Sequence, residues 1–161
     1  LDKARGAGCD PVLVVTGHEA EAIRAAAEGK ASHFFHNPDY AEGLSTSLKA
    51  GIGALPEDVA AALIFLGDMP RVSGATLNRL AMAAAEKPGM AAFVPAFEGR
   101  WGNPVLIRRA LFPSLQQLHG DQGARKLLEA NRDMVEEVPV DDAGILADFD
   151  TKEALQRASA P

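Results

Sequence analysis

Two apolar runs of strand length, each stopped by a turn, organise the front half of the chain. Pro11-Val12-Leu13-Val14-Val15-Thr16 is β-branched with no polar alternation, which predicts a strand covered on both faces. Ala62-Leu63-Ile64-Phe65-Leu66 repeats the pattern and halts at Gly67-Asp68-Met69-Pro70. Between them the pattern predicts a helix over Glu19–Glu28 stopped by Gly29, a short strand over His33–His36, a turn at Asn37-Pro38-Asp39-Tyr40, and a helix over Leu44–Ala54. Further on it predicts a helix from Ser73 to Lys87, ended by Pro88-Gly89, and strands over Ala91–Pro95 and Val105–Arg108. A helix over Gln122–Asn131, strands over Met134–Val140 and Ile145–Phe149, and a last helix from Thr151 complete the set. Leu1 to Gly8 reads as the final turns of a helix with Gly at its end. Strands alternating with helices imply βαβ units and a mainly parallel sheet, here in one α/β domain over residues 1–161.

Composition narrows the partners. A net charge of −6 argues against a broad nucleic-acid or acidic-membrane footprint, while leaving room for a local basic site that meets one anionic small molecule. The apolar stretches are too short to span a bilayer, so no membrane partner is expected. The single cysteine, Cys9, excludes an internal disulfide and fits a reducing, cytoplasmic setting. It stands in a turn between Gly8 and Asp10 with no second Cys or His beside it, and reads as inert.

The candidate chemistry lies at element ends. Asp68 follows a strand, where ligands collect in open α/β sheets, and is placed either to hold a divalent cation against phosphates or to cap the helix near Ser73. In Asn37 to Ser47, Gly43 admits a close ligand and Ser45, Thr46 and Ser47 sit at a helix N-terminus; an anion contact and a plain N-cap are both open. Asp148 and Asp150 alternate, so a continuing strand would put both carboxylates on one side, where a cation would relieve their repulsion; Asp150 or Thr151 as a helix cap is the other reading. His119-Gly120-Asp121-Gln122-Gly123-Ala124-Arg125 opens a helix, either with Asp121 as cap or as a substrate loop. Trp101 is a core or lid anchor, or a stacking face for a flat ring. The four histidines show no metal-ligand spacing and read as peripheral, and Glu136-Glu137 with Asp141-Asp142 reads as a solvated edge and loop. No GxGxxG, Walker-type or GxSxG motif occurs, against dinucleotide-binding, P-loop and serine-hydrolase chemistry.

Six segments in order carry a resemblance: Val14-Val15-Thr16-Gly17, His36 to Leu48, Leu66-Gly67-Asp68-Met69-Pro70, Gly102-Asn103-Pro104-Val105, Gly120 to Arg125, and Asp148-Phe149-Asp150-Thr151. Together they are similar to the molybdenum cofactor nucleotidyltransferases, the cytidylyltransferase branch above all. The resemblance implies a three-layer, Rossmann-like α/β fold of the nucleotide-diphospho-sugar transferase (GT-A-like) type, with a mainly parallel mixed sheet. It implies a cytoplasmic enzyme that uses Mg²⁺ to transfer CMP from CTP to molybdopterin with release of pyrophosphate. Asp68 and Asp148 would be catalytic and, with Asp150, hold the metal. Asn37, Gly43, Ser45, Ser47, Gly67, Asn103, Asp121 and Arg125 would line the substrate side. A downstream molybdoenzyme or its chaperone is the partner such a product implies.

One departure shapes the expectation. The family opens with a strand and a Gly-rich loop of the type LAAGxSxRMGxxK, which this sequence lacks, so it is expected to be a piece without its nucleotide-gripping head. Guanylyl transfer from GTP to the same acceptor, transfer to another phosphorylated small molecule, and a non-catalytic module that holds the pterin cofactor for delivery stand as the alternatives.

Overall fold

The computed structural model describes residues 1–147. After the short helix α1 (Asp2–Gly6), β1 (Leu13–Thr16) pairs in parallel with β2 (His33–His36), Leu13 opposite His33, with α2 (Ala20–Ala26) as the crossover. Helix α3 (Leu44–Gly53) lies directly on β1, because Gly51 leaves only the space of a hydrogen there: a Cβ would stand 3.0 Å from Val15 Cγ2.

A second sheet holds β3 (Ala61–Ile64), β4 (Ala92–Phe97), β5 (Arg100–Trp101), β6 (Val105–Arg108) and β7 (Val135–Pro139). Strand β4 is central, with β7 parallel on one edge and β6 antiparallel on the other, and β3 is antiparallel to β6. Thus β3, β4 and β7 run one way and β6 runs against them, which makes the sheet mixed. Strand β5 continues the β6 edge out of step: Phe93 faces Leu106, but Ala96 faces Trp101. The surplus, at Gly102-Asn103-Pro104 with a cis Asn103–Pro104 bond, is pushed out of the ladder.

Alternation along β4 divides the core. Phe93, fully buried, packs with Leu80, Leu106 and Val138 under α4 (Gly74–Glu86). Ala92 and Val94 point the other way, with Ile107, Leu115 and Leu128, toward α3, α5 (Phe112–Leu115) and α6 (Ala124–Ala130). The result is helix, sheet, helix in three layers. Helix α4 forms because Leu77 and Leu80 repeat on one face and Ser73 caps it, its Oγ accepting from Thr76 N at 3.2 Å. Among the described residues no helix is long and apolar enough to cross a membrane.

Two expectations need correction. Strands β1 and β3 are largely half-buried rather than covered on both faces, because among the described residues each has a ladder partner on one edge only. The strand expected from Ile145 is, over its described part, a 3-10 turn at Ala143–Leu146. Asp142 causes it: its Oδ1 accepts from Gly144 N at 3.0 Å and closes a tight Asx turn. Phe149 and the helix from Thr151 lie outside the described residues.

Candidate functional site

Asp68 stands just past β3, on a loop pinned from two sides. Met69 and Val72 are buried against Leu77, and the Lys3 ammonium donates to the carbonyls of Pro70 (2.8 Å) and Val72 (2.7 Å). So held, Asp68 turns Oδ1 into the protein, where it has no hydrogen-bond partner among the described residues. A buried carboxylate oxygen without a donor is costly. A hard divalent cation would satisfy it, since Mg²⁺ binds through one or two carboxylates and fills its remaining positions with phosphate and water. Asp68 does not cap α4; Ser73 does. A Cβ at Gly67 would meet nothing within 4 Å, so the backbone beside Asp68 is open to approach. No group of three or more metal-ligating side chains forms among the described residues. Asp148 and Asp150 lie outside them.

The two loops singled out in the sequence come together. Asn37, 3% exposed, donates from Nδ2 to Thr46 Oγ1 and Ser47 Oγ, both at 2.9 Å, and accepts from Asp39 N at 3.1 Å. Gly43 has φ 114°, and its backbone lies against Gly120 so closely that a Cβ would stand 2.8 Å from Asp121 N. Ser45 N donates to the Gly120 carbonyl at 3.0 Å. The first turn of α3, where an anion was one reading, therefore receives a carbonyl from the neighbouring loop, and its N-cap, Gly43, offers no side chain. Ser45 is buried and its Oγ has no partner among the described residues. Asp121 is exposed and does not cap α6, which begins at Ala124 behind Gly123.

A cavity of about 420 Å³ opens beside Asp68, bounded by Leu66 and Met69 on that loop, by Gly99 of the β4–β5 turn, by β5 and by Gly102 and Asn103 after it, by Arg125, Glu129 and Arg132, and by Ile145 and Leu146. Asn103 thus joins the Asp68 loop and Arg125 around one space. Spacings of four and three place Arg125, Glu129 and Arg132 on one side of α6 and the turn after it. Arg125 Nε donates to Glu129 at 3.0 Å. Arg132 stacks with Cζ 5.0 Å from the Trp101 ring centre and donates to Glu137 at 3.1 Å. Trp101 is 8% exposed and carries Arg132 on its face, so it acts as a core anchor.

The far wall is tied by Asp142. Its Oδ2 accepts from Ser73 N (2.8 Å) and from the Thr76 hydroxyl (2.6 Å), joining this loop to the start of α4. A Cβ at Gly144 would meet the Arg71 carbonyl carbon at 2.8 Å, and Asn103 N donates to Ile145 O at 2.9 Å. Partial burial would raise the Asp142 carboxyl, but hydrogen bonds from Thr76, Ser73 and Gly144 outweigh it and hold the group below its ordinary value. Elsewhere, burial pushes the Cys9 thiol up, in keeping with an inert role. All four histidines are exposed. Asp142, Arg100, Glu129 and Arg132 were missed in the sequence. The Asp142-x-Gly144 spacing of an Asx turn and the 125/129/132 spacing were the available signals.

Comparison with known proteins agrees with this geometry. Residues 1–136 match the family model described as the MobA-like NTP transferase domain. Nicotine blue oxidoreductase of Paenarthrobacter nicotinovorans is 29% identical over 157 residues, covering 93% of this chain and 76% of that protein. The molybdenum cofactor cytidylyltransferase of Escherichia coli (strain K12) is 26% identical over 145 residues, covering 89% and 71%. The solved manganese complex of Rv0371c from Mycobacterium tuberculosis H37Rv superposes with a TM-score of 0.78 at 30% identity, covering 97% of this chain and 81% of that one. The chain belongs to the MobA-like NTP transferase domain family, as a nucleotidyltransferase on a Rossmann-like α/β fold.

Proposed function

We propose that this nucleotidyltransferase transfers CMP from CTP to the phosphate of molybdopterin in a Mg²⁺-dependent reaction. An acceptor phosphate oxygen forms a bond to the α-phosphorus, the bond from that phosphorus to the bridging oxygen breaks, and pyrophosphate leaves. The observation that carries the reading is the buried Oδ1 of Asp68, without a hydrogen-bond partner among the described residues, on the loop after β3 and beside a cavity rich in arginine. Support comes from the E. coli relative, named for cytidylyl transfer to the molybdenum cofactor, and from the manganese bound by the mycobacterial neighbour.

In this reading Asp68, with Asp148 and Asp150, holds the cation, which supplies charge neutralisation at the phosphates. The pinned loop at Met69 and Val72 fixes the carboxylate before substrate arrives, so little reorganisation is needed as charge develops. Asn37 and Ser47 close the Asn37–Ser47 loop on itself, Ser45 N ties it to the Gly120 carbonyl, and together they shape the acceptor side. Asn103 and Arg125 orient the acceptor from the cavity wall. Positioning and electrostatics suffice for such a displacement, and no side-chain nucleophile is required. The product would pass to a molybdoenzyme or its chaperone.

Pyrophosphate release from CTP and molybdopterin in the presence of Mg²⁺ tests the reading. We expect turnover that falls about 10²-fold or more in Asp68→Asn. Tight pterin binding without turnover would show a carrier, and preference for GTP would move the base assignment to guanine.

A further inference from the structure

We propose that the Glu129 carboxylate reads the pterin of the acceptor, accepting from the ring N3–H and the 2-amino group that stand side by side on its pyrimidine edge. This rests on the acceptor reading above and deepens it to the ligand chemistry of the cavity: a flat aminopyrimidinone, the edge that pterin shares with guanine.

The first ground is an acid standing where an anionic substrate is to bind. Among the described residues that line the cavity, Glu129 is the one carboxylate, beside Arg100, Arg125 and Arg132. Its charge repels an acceptor that carries phosphate. Its pair with Arg125 joins two side chains that are both more than half exposed, and such a pair contributes little to the fold. A substrate that brings N–H donors to the carboxylate offsets the repulsion and gives the acid a use.

The second ground is the bonding left open. An ionised carboxylate has about four acceptor positions, and the bond from Arg125 Nε, 3.0 Å long, engages Oε1 alone. Arg125 thus restrains the group from one side while two oxygens remain able to meet two parallel N–H donors. A pterin edge presents such a pair, from N3 and from the amino group on the neighbouring carbon. The three arginines of the wall cannot read it, because a guanidinium has donors only.

Shape is the third ground. Leu66 and Met69, on either side of Asp68 in the chain, line the cavity together with Ile145 and Leu146. These apolar side chains suit the faces of a flat ring, and a few polar groups then fix its orientation. Glu129 reaches the cavity from α6 and the Asp68 loop from the end of β3, so the ring edge and the reacting phosphate have separate partners. The volume, about 420 Å³, holds a bicyclic ring with a short phosphate arm.

The test is titration of the protein with pterin and with lumazine, in which a carbonyl oxygen replaces the 2-amino group, followed by ligand fluorescence. We expect pterin to bind about tenfold tighter, since lumazine sets an acceptor against the carboxylate. Glu129→Gln presents one acceptor and one donor, which suits lumazine, and should erase or reverse the preference. A merely structural role for Glu129 would weaken both ligands alike. GMP against IMP, which lacks the 2-amino group, is the second pair, and a preference confined to it would assign the cavity to guanine and overturn the proposal. Equal affinity of pterin and lumazine for wild type, an unchanged preference in Glu129→Gln, or no pterin binding up to its solubility limit also overturns it. The wild-type ratio needs no variant, and Glu129→Ala, which should lose the preference without reversing it, reports independently should Glu129→Gln not fold. Absence of pyrophosphate release with every acceptor would instead overturn the transferase reading, and the ligand preference is read without turnover.

Discussion

Asp142→Ala should loosen the wall of the cavity and cost the fold measurably. The carboxylate holds Ser73 N, Gly144 N and the Thr76 hydroxyl. On truncation the Thr76 hydroxyl retains Ser73 Oγ, 3.1 Å away, so its loss is small. The two backbone N–H groups lose a charged acceptor, at about 1.5 kcal/mol each for a half-buried site, or about 3 kcal/mol together. For a chain of this size that is a fall in Tm of about 6–12 °C. The pH dependence has a definite sign. A carboxyl held below its ordinary value of 3.8 contributes stability that is fully present above that value and is lost as pH falls through the folded-state value. Urea unfolding of wild type and variant at neutral pH should show the full gap, and the gap should narrow in acid. Asp142→Asn, which keeps one acceptor oxygen, should fall between. A gap under about 1 kcal/mol at neutral pH, or one that persists unchanged in acid, would refute the reasoning.

Three further substitutions probe the loops. Gly43→Ala forces a side chain into a left-handed conformation and onto the Gly120 backbone; we expect a loss of about 2–4 kcal/mol in urea unfolding, and faster amide exchange at Ser45. Asn37→Ala leaves the Thr46 and Ser47 hydroxyls without their buried donor; about 1–3 kcal/mol should be lost, read by thermal melting, with weaker acceptor binding read by calorimetry. Asp68→Asn should separate stability from activity. Removing a charge whose oxygen has no donor among the described residues should leave metal-free Tm equal to wild type or higher by up to about 1 kcal/mol equivalent, while turnover collapses.

Much of the architecture is written locally. The strands His33–His36 and Val105–Arg108 fall where their apolar runs begin and end, and Asp68 sits at the strand end where its Gly-Asp-Met-Pro context puts it. Burial of β1 and β3 was misread because apolar composition reports that a strand favours cover, whereas cover depends on which edges find partners. The seating of the Gly120 carbonyl on α3 was hidden for another reason. It joins residues far apart in sequence, and Ser45, Thr46 and Ser47 look the same whether an anion, a side chain or a carbonyl meets their N–H groups. Asp142 passed for a solvated acid beside Asp141, yet only one of the two turns back to bond Ser73 and Thr76. Arg132 carried no local signal beyond its spacing from Arg125, since the Trp101 ring it lies over belongs to another element.

The account stands or falls on whether Asp68 and Asp148 serve one cation. Mn²⁺ binding in the presence of CTP, followed by electron paramagnetic resonance, should be measured for wild type, Asp68→Asn, Asp148→Asn and the double variant. One shared site predicts that each single change weakens binding strongly and that the double change is clearly less than the sum of the two. Additive effects, or undiminished Mn²⁺ affinity in Asp68→Asn, would contradict it.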